Sequence, residues 1–184
     1  MLKTVFPAAT TQAPLAHQRI NIVGASGSGT STLGRALAAR TGMAWADADD
    51  FYWKPSHPPF QHKVDPAERL QRLLAYLAPH PGSMVSGSVC GWGSALEDSF
   101  DLVVFLSLPT DLRLARIEAR EIARYGHANP DFLAWSAQYD QGLLPGRSRA
   151  RHEAWLASRT CRVLRFEGDE EVQARVTRIL NLCA

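Results

Sequence analysis

Eight consecutive residues, Gly24-Ala25-Ser26-Gly27-Ser28-Gly29-Thr30-Ser31, carry the most specific chemistry in this sequence. Their glycines have the spacing of a phosphate-wrapping loop, G-x-x-x-x-G-K-[ST], with Thr30 at the lysine position. Glycine allows tight turns and keeps side chains away, so that successive N–H groups can face one anion. The phosphate-binding set on this pattern is Gly24, Ser26, Gly27, Ser28, Gly29, Thr30, Ser31 and Thr32. Ser31 holds the hydroxyl position that would ligate Mg²⁺, with Thr32 in support. A lysine at position 30 would follow the charge that develops in phosphoryl transfer; threonine offers one hydroxyl and no charge, a loss of a few kcal/mol in binding or rate. The same stretch, read as GASGSG, formally fits a dinucleotide fingerprint. The chain is short for that class, however, and Asp47 and Asp49 are only approximate ribose readers.

Three more clusters could act beside the loop. Asp47, Asp49 and Asp50 follow a strand-like run, and Asp50 is suited to orient or deprotonate an acceptor hydroxyl. Asp47 or Asp49 could instead hold Mg²⁺ through water. Tyr52 and the neighbouring aromatics suit a ring-bearing acceptor, or packing under a loop. Ser86 and Trp92 lie in VSGSVCGWG, another glycine-rich stretch after a strand-like run, and complete an acceptor-binding set of Asp47, Asp50, Tyr52, Ser86 and Trp92. Arg113, Arg116, Arg120 and Arg124 recur every three or four residues, as one stripe of a helix. Arg116 and Arg120 are expected to contact phosphate and replace the missing lysine's charge; Arg124, Arg147, Arg149 and Arg151 would belong to a lid that closes and excludes water. A solvated, salt-bridged helix face is the competing reading of that stripe.

The elements that must position these residues are legible from periodicity. Arg19–Ala25 is a short apolar run, a buried strand, and the spacing of Leu33, Ala36 and Leu37 predicts a helix over 31–40 ended by Gly42. A second strand is expected over 43–47 and prolines follow it. Leu70, Leu73, Leu74 and Leu77, with Pro66 in front, predict a helix. Strands are expected at 84–88, 101–108 and from Arg162, with helices over 110–124 and 170–182. The apolar run DLVVFLSL reads as a strand covered on both faces. Alternating strands and helices imply a three-layer α/β domain with a mainly parallel sheet. Residues 1–18 read as an extension, 19–184 as one domain, and about 125–151 as a small arginine-rich lid or insertion.

At 184 residues with 46% hydrophobic and 21% charged residues, the composition is that of one soluble domain. A net charge of +2 argues for neither nucleic acid nor membrane partners. Seventeen of the 20 basic residues are arginine, so phosphate would be held by guanidinium forks and backbone N–H groups. Cys90, Cys161 and Cys183 form no CxxC pair and suit a reducing, cytoplasmic setting. No apolar run reaches 18 residues, and no histidine cluster has metal-site spacing.

On GASGSGTSTLGRALA, the sequence resembles the small P-loop kinases of the nucleoside-monophosphate-kinase fold, which include adenylate, shikimate, gluconate and uridine kinases. DADDFYWKP is similar to the acceptor-binding aspartate region of the uridine- and shikimate-kinase groups, and to the so-called DNA topology modulation proteins. Arg116 and Arg120 resemble lid-helix arginines, and FEGD, Phe166 to Asp169, falls where that group has its adenine-contacting loop. The resemblance implies a P-loop NTPase with a five-stranded parallel sheet in order 2-3-1-4-5, ATP and Mg²⁺ as cofactors, and a small-molecule phosphoryl acceptor. A monomer or homodimer is compatible with it. Thr30 departs from the group, as does the end of the third strand, where Ser86 stands in place of an acid. The expected activity is ATP-dependent phosphoryl transfer to a hydroxyl or phosphate. The alternatives are a nucleotide-binding regulatory protein with little turnover and, more weakly, a nucleotidase.

Overall fold

The computed structural model describes residues 14–142 and 147–183. A short turn, Leu15–His17, precedes β1 (Arg19–Gly24), α1 (Thr30–Thr41), β2 (Ala44–Asp47) and α2 (Ala48–Tyr52). Then come α3 (Pro66–Leu77), β3 (Ser83–Ser86), α4 (Ser94–Glu97), β4 (Leu102–Ser107) and α5 (Thr110–Tyr125). The chain finishes with α6 (Pro130–Ala137), α7 (Arg149–Ala157), β5 (Arg162–Glu167) and α8 (Val172–Leu182).

The five strands form one sheet in the order β2-β3-β1-β4-β5, and every pairing is parallel. Parallel strands present successive side chains to opposite faces, so each needs cover on both sides. Ile20, Ile22, Leu102, Val104 and Leu106 join Leu33 and Leu37 of α1 and Val176 and Ile179 of α8 in one core. Val23, Val85, Val103 and Phe105 face the other way, onto Leu73 and Leu77 of α3, Leu96 of α4 and Trp155 and Leu156 of α7. This is the three-layer architecture expected from the sequence, and the five-stranded parallel order 2-3-1-4-5 is present.

Because the strands run parallel, their carboxyl ends at Gly24, Asp47, Ser86, Ser107 and Glu167 share one edge of the sheet. In such sheets ligands bind outside that edge. The segment 125–151 carries α6 and the first turn of α7. Helix α7 is fastened to the core beyond it: Trp155 Nε1 donates to Glu97 Oε2 at 2.6 Å, and Arg159 Nη1 donates to Asp98 Oδ1 at 2.8 Å. The helix α2, directly after β2, is capped by Asp47, whose side chain accepts from Asp49 N.

Candidate functional site

Close approach dictates the glycines of the loop between β1 and α1. A Cβ on Gly24 would lie 2.5 Å from Ser28 Oγ and 2.6 Å from the Leu106 carbonyl. Gly27 (φ 81°) and Gly29 (φ 93°) are in the left-handed region, which L side chains rarely adopt. A Cβ on Gly27 would also lie 2.5 Å from the Arg113 carbonyl. Ser28 is fully buried, and its Oγ has no hydrogen-bond partner among the described residues. Gly29 is the N-cap of α1 and offers no side chain to cap it, which leaves the first-turn N–H groups of Thr30, Ser31 and Thr32 facing the carboxyl edge. Such a terminus, with its dipole, is a seat for an anion.

At the foot of the loop, Ser31 Oγ donates to Asp47 Oδ2 at 2.5 Å. No group of three or more His, Cys, Asp or Glu side chains among the described residues is placed to hold a metal by itself. A hydroxyl and one carboxylate fit Mg²⁺, which keeps most of its water and takes its other ligands from phosphates.

The next two aspartates divide. Neighbours on a helix point roughly 100° apart. Asp49 lies in a cleft, with protein around it and its surface open to water; burial raises its pKa, Arg147 opposes the rise, Asp47 and Asp50 add to it, and Arg120 opposes it. Asp50 is also raised, by burial and then by Asp47, but the opposing charge there is Arg35. Arg35 is a member of α1, where it covers the Trp45 ring at 5.1 Å. The two carboxyls thus have different opposing charges, Arg147 and Arg120 for Asp49 and Arg35 for Asp50.

Two expected acceptor contacts are corrected. Ser86 is fully buried: its Oγ accepts from Trp45 Nε1 at 2.9 Å and donates to the Thr30 carbonyl at 3.0 Å. It ties β2, β3 and the start of α1 together under the loop and does not face a ligand. Trp92 is 6% exposed and belongs to the core; its ring stacks on Tyr52 with centroids 6.2 Å apart. Arg69 of α3 lies against both rings, its Cζ 4.7 Å from each centroid. Its buried Nε has no hydrogen-bond partner among the described residues. Position 69 gives no sign of this in the sequence, because an arginine at the start of an amphipathic helix reads as a surface charge.

The arginine stripe also separates by role. Arg116 pairs with Asp169 at 2.6 Å, in the loop after β5. Arg120 lies 3.5 Å from Glu121 and covers Phe132 at 6.0 Å, while its charge reaches Asp49. Arg124 is exposed. Arg149 lies 3.5 Å from Asp140. The charge of Arg147 reaches Asp49, Cys90, Tyr139 and His152, and that of Arg151 reaches Cys90 and His152.

Arg113, singled out in the sequence only as one member of the stripe, is 1% exposed. Its guanidinium donates to the carbonyls of Leu108, Ser26 and Ser136, to Thr110 Oγ1 and to Asp140 Oδ2 at 3.0 Å. Burial works against the charged form of Asp140, but the Thr110 hydrogen bond and Arg113 outweigh it and hold its pKa below the usual carboxylate range. Arg113 thus braces the glycine loop, through Ser26, against the end of α6.

Beside Asp140 a second buried group begins. Tyr139 Oη lies 2.8 Å from His152 Nδ1, and His152 Nε2 lies 3.0 Å from Ser88 Oγ. His152 is 1% exposed; burial, followed by the charges of Arg147 and Arg151, lowers its pKa to about 3, so the imidazole is neutral at pH 7. Burial and the Asp140 charge raise the Tyr139 phenol well above its ordinary value. The three cysteines are free, and burial pushes each thiol up, away from the reactive thiolate. Further along the edge a cavity of about 310 Å³ is lined by Ser107, Leu108, Pro109, Asp140, Arg149, Glu167 and Gly168. It lies where FEGD was expected to meet a base. No helix among the described residues is long and apolar enough to cross a membrane.

No family model matches the chain. It is 42% identical over 174 residues to the uncharacterized protein YqaC of Bacillus subtilis (strain 168), covering 89% of this chain and 96% of that protein. Among solved structures it is similar to shikimate kinase from Acinetobacter baumannii in complex with shikimate: TM-score 0.57, 18% identity, 91% of this chain and 93% of that one. A sugar kinase from Janibacter sp. HTCC2649 matches with TM-score 0.56 and 18% identity over 89% and 92%. A gluconokinase from Sinorhizobium meliloti 1021 matches with TM-score 0.54 and 19% identity over 91% and 95%. The fold is that of the small P-loop kinases.

Proposed function

The chain belongs to the family of the Bacillus subtilis protein YqaC, and for this member we propose ATP-dependent phosphoryl transfer to a small-molecule hydroxyl or phosphate. The observation that carries the reading is the Ser31–Asp47 pair, 2.5 Å apart, at the foot of a glycine loop that opens an uncapped helix terminus. The fold shared with shikimate, sugar and gluconate kinases supports it. The loop from Gly24 to Thr32 seats the triphosphate through its N–H groups. Ser31 and Asp47, through water where needed, hold Mg²⁺, which when bound supplies positive charge to the β- and γ-phosphate oxygens. The purine occupies the cavity between Leu108 and Gly168.

The acceptor enters the crevice between α2 and the segment after β3. Asp49 accepts the hydrogen bond of its hydroxyl and orients the oxygen towards the γ-phosphate; Asp50 supports the field from outside. Arg69, held against the Tyr52 and Trp92 rings, faces an anionic group of the acceptor. Arg147 and Arg120 bring the charge that Thr30 lacks, and Arg149 and Arg151 follow Arg147 on the same segment. Arg116 neutralises the base side through Asp169. Thr30 favours a second reading, nucleotide binding with little turnover, because no charge stands at the loop itself.

Calorimetric titration with Mg·ATP, followed by ADP release across nucleoside, sugar and hydroxy-acid acceptors, tests both. Binding with acceptor-dependent ADP release is expected. Binding without it selects the regulatory reading, and no binding at millimolar Mg·ATP removes both.

A further inference from the structure

The buried Tyr139–His152–Ser88 chain joins three separate parts of the sequence, and its proton direction can be worked out. Tyr139 is 7% exposed, and among the described residues His152 Nδ1 is the hydrogen-bond partner of its hydroxyl. A buried O–H aimed at nothing loses the worth of a hydrogen bond and keeps the desolvation penalty. Tyr139 must therefore donate to Nδ1. The neutral ring then carries its proton on Nε2 and donates it to Ser88 Oγ, 3.0 Å away. With one lone pair engaged by Nε2–H, Ser88 keeps its own proton free to turn away from the ring, where its neighbour is the Cys90 sulfur. Sulfur is a weak acceptor, so an oxygen arriving at that place captures the proton instead.

Ser88 is placed to meet such an oxygen. It is half-buried in the segment following the carboxyl end of β3. A Cβ on the preceding Gly87 would touch Ala48 Cβ, the residue between Asp47 and Asp49. The ring itself is clamped, with Phe105 edge-on at 6.1 Å and Tyr139 at 5.5 Å.

We propose that Ser88 is a specificity-determining donor in the acceptor crevice, and that Tyr139 and His152 are positioning residues that keep its proton pointed at an incoming phosphate or carboxylate oxygen. The proposal rests on the crevice being the acceptor site, and it narrows the acceptor to molecules presenting an oxyanion there. A cationic group such as an ammonium gains nothing from the offered proton, so the donor favours an oxyanion over it.

The full chain with ¹⁵N-labelled histidine tests the relay without any ligand. The expected spectrum at pH 7 shows His152 neutral, with Nε2 protonated and Nδ1 bare; a protonated Nδ1 overturns the proposal. Calorimetry with inorganic phosphate and, separately, with acetate in saturating Mg·ADP tests the donor. At least one anion is expected to bind, and the arm that binds identifies the oxyanion. Ser88→Ala should weaken that anion about 10-fold. His152→Leu should weaken it equally, and His152→Gln, whose amide still donates to Ser88, should recover to within about 3-fold. Tyr139→Phe should leave the fold intact, mix the two tautomers and weaken the anion by an intermediate factor. Equal anion binding by Ser88→Ala and the parent, or binding of neither anion where Mg·ADP binds, overturns the proposal while the kinase reading stands. If Mg·ADP itself fails to bind, the kinase reading falls; the tautomer and a nucleotide-free phosphate titration of Ser88→Ala still decide the relay.

Discussion

The two halves of the carboxyl edge are held by different means. On the side proposed for the nucleotide, Gly24, Gly27 and Gly29 shape the main chain, and the groups on offer are N–H bonds of one continuous segment from β1 to α1. On the side proposed for the acceptor, the groups come from α2, α3, the segment after β3, and the residues around α6 and α7. They are joined by buried and half-buried side chains: Arg69 against two rings, and Tyr139–His152–Ser88. The first half is local and repeats a motif. The second is assembled over long sequence separations, 64 residues between Ser88 and His152. Arg113 spans the two, with one guanidinium reaching Ser26 of the loop and Asp140 beside Tyr139.

Breaking that span should have the largest effect. Arg113→Met leaves the carbonyls of Ser26 and Ser136 without their donor and Asp140 without its main counter-charge. A loss of about 3 kcal/mol of unfolding free energy in urea is expected, at the low end for a buried pair because Asp140 is partly open to water. Mg·ATP affinity should fall in the residual folded protein. A variant as stable as the parent would show that the two halves stand independently.

Acid should strain the acceptor half next. The folded-state pKa of His152 is lowered to about 3 from an ordinary 6.5, so the folded protein binds fewer protons than the unfolded chain between those values. The stability that the neutral ring contributes is complete above pH 6.5 and declines as pH falls towards 3. The slope is at most about 1.4 kcal/mol per pH unit. Tyr139, Ser88 and Phe105 pack against the ring, and the Arg147 and Arg151 charges add to the penalty for protonating it. Urea unfolding at pH 4.5 and 7 should show this limb in the parent and lose it in His152→Gln. An unchanged limb would assign it to the carboxylates instead.

The smallest effects on stability concern the charge proposed to face the loop. Arg147→Gln is expected to lower kcat about 100-fold with little change in Tm, since on the proposed reading it removes a donor to the transferring group and no core contact. Thr30→Lys in the parent should change kcat less than about tenfold, because the arginine already supplies the charge. In the Arg147→Gln background the same lysine should recover much of the loss. Additive effects of the two substitutions would mean that they do not serve the same phosphate.

How legible the site was follows the same division. GASGSGTS was readable because its function rests on backbone conformation, and glycine spacing writes that directly into the sequence. Helix α3 was readable from Leu70, Leu73, Leu74 and Leu77 for the same reason of periodicity. Arg113 and Arg116 look alike as members of one stripe; one is buried under the loop and the other pairs with Asp169 at the surface. Ser86 and Ser88 are two residues apart, yet Ser86 points beneath α1 while Ser88 meets a histidine of α7. Nothing local distinguishes them. Asp49 and Asp50 are likewise adjacent, yet the arginine charges that oppose each come from different segments.

By itself, then, the sequence determined the three-layer α/β class, the strands and the phosphate-type loop, because periodicity and glycine conformation act between near neighbours. The tertiary structure decided which polar residues become buried partners and which face the crevice. That depends on desolvation and on the charges brought alongside, and both are set by chain segments dozens of residues away.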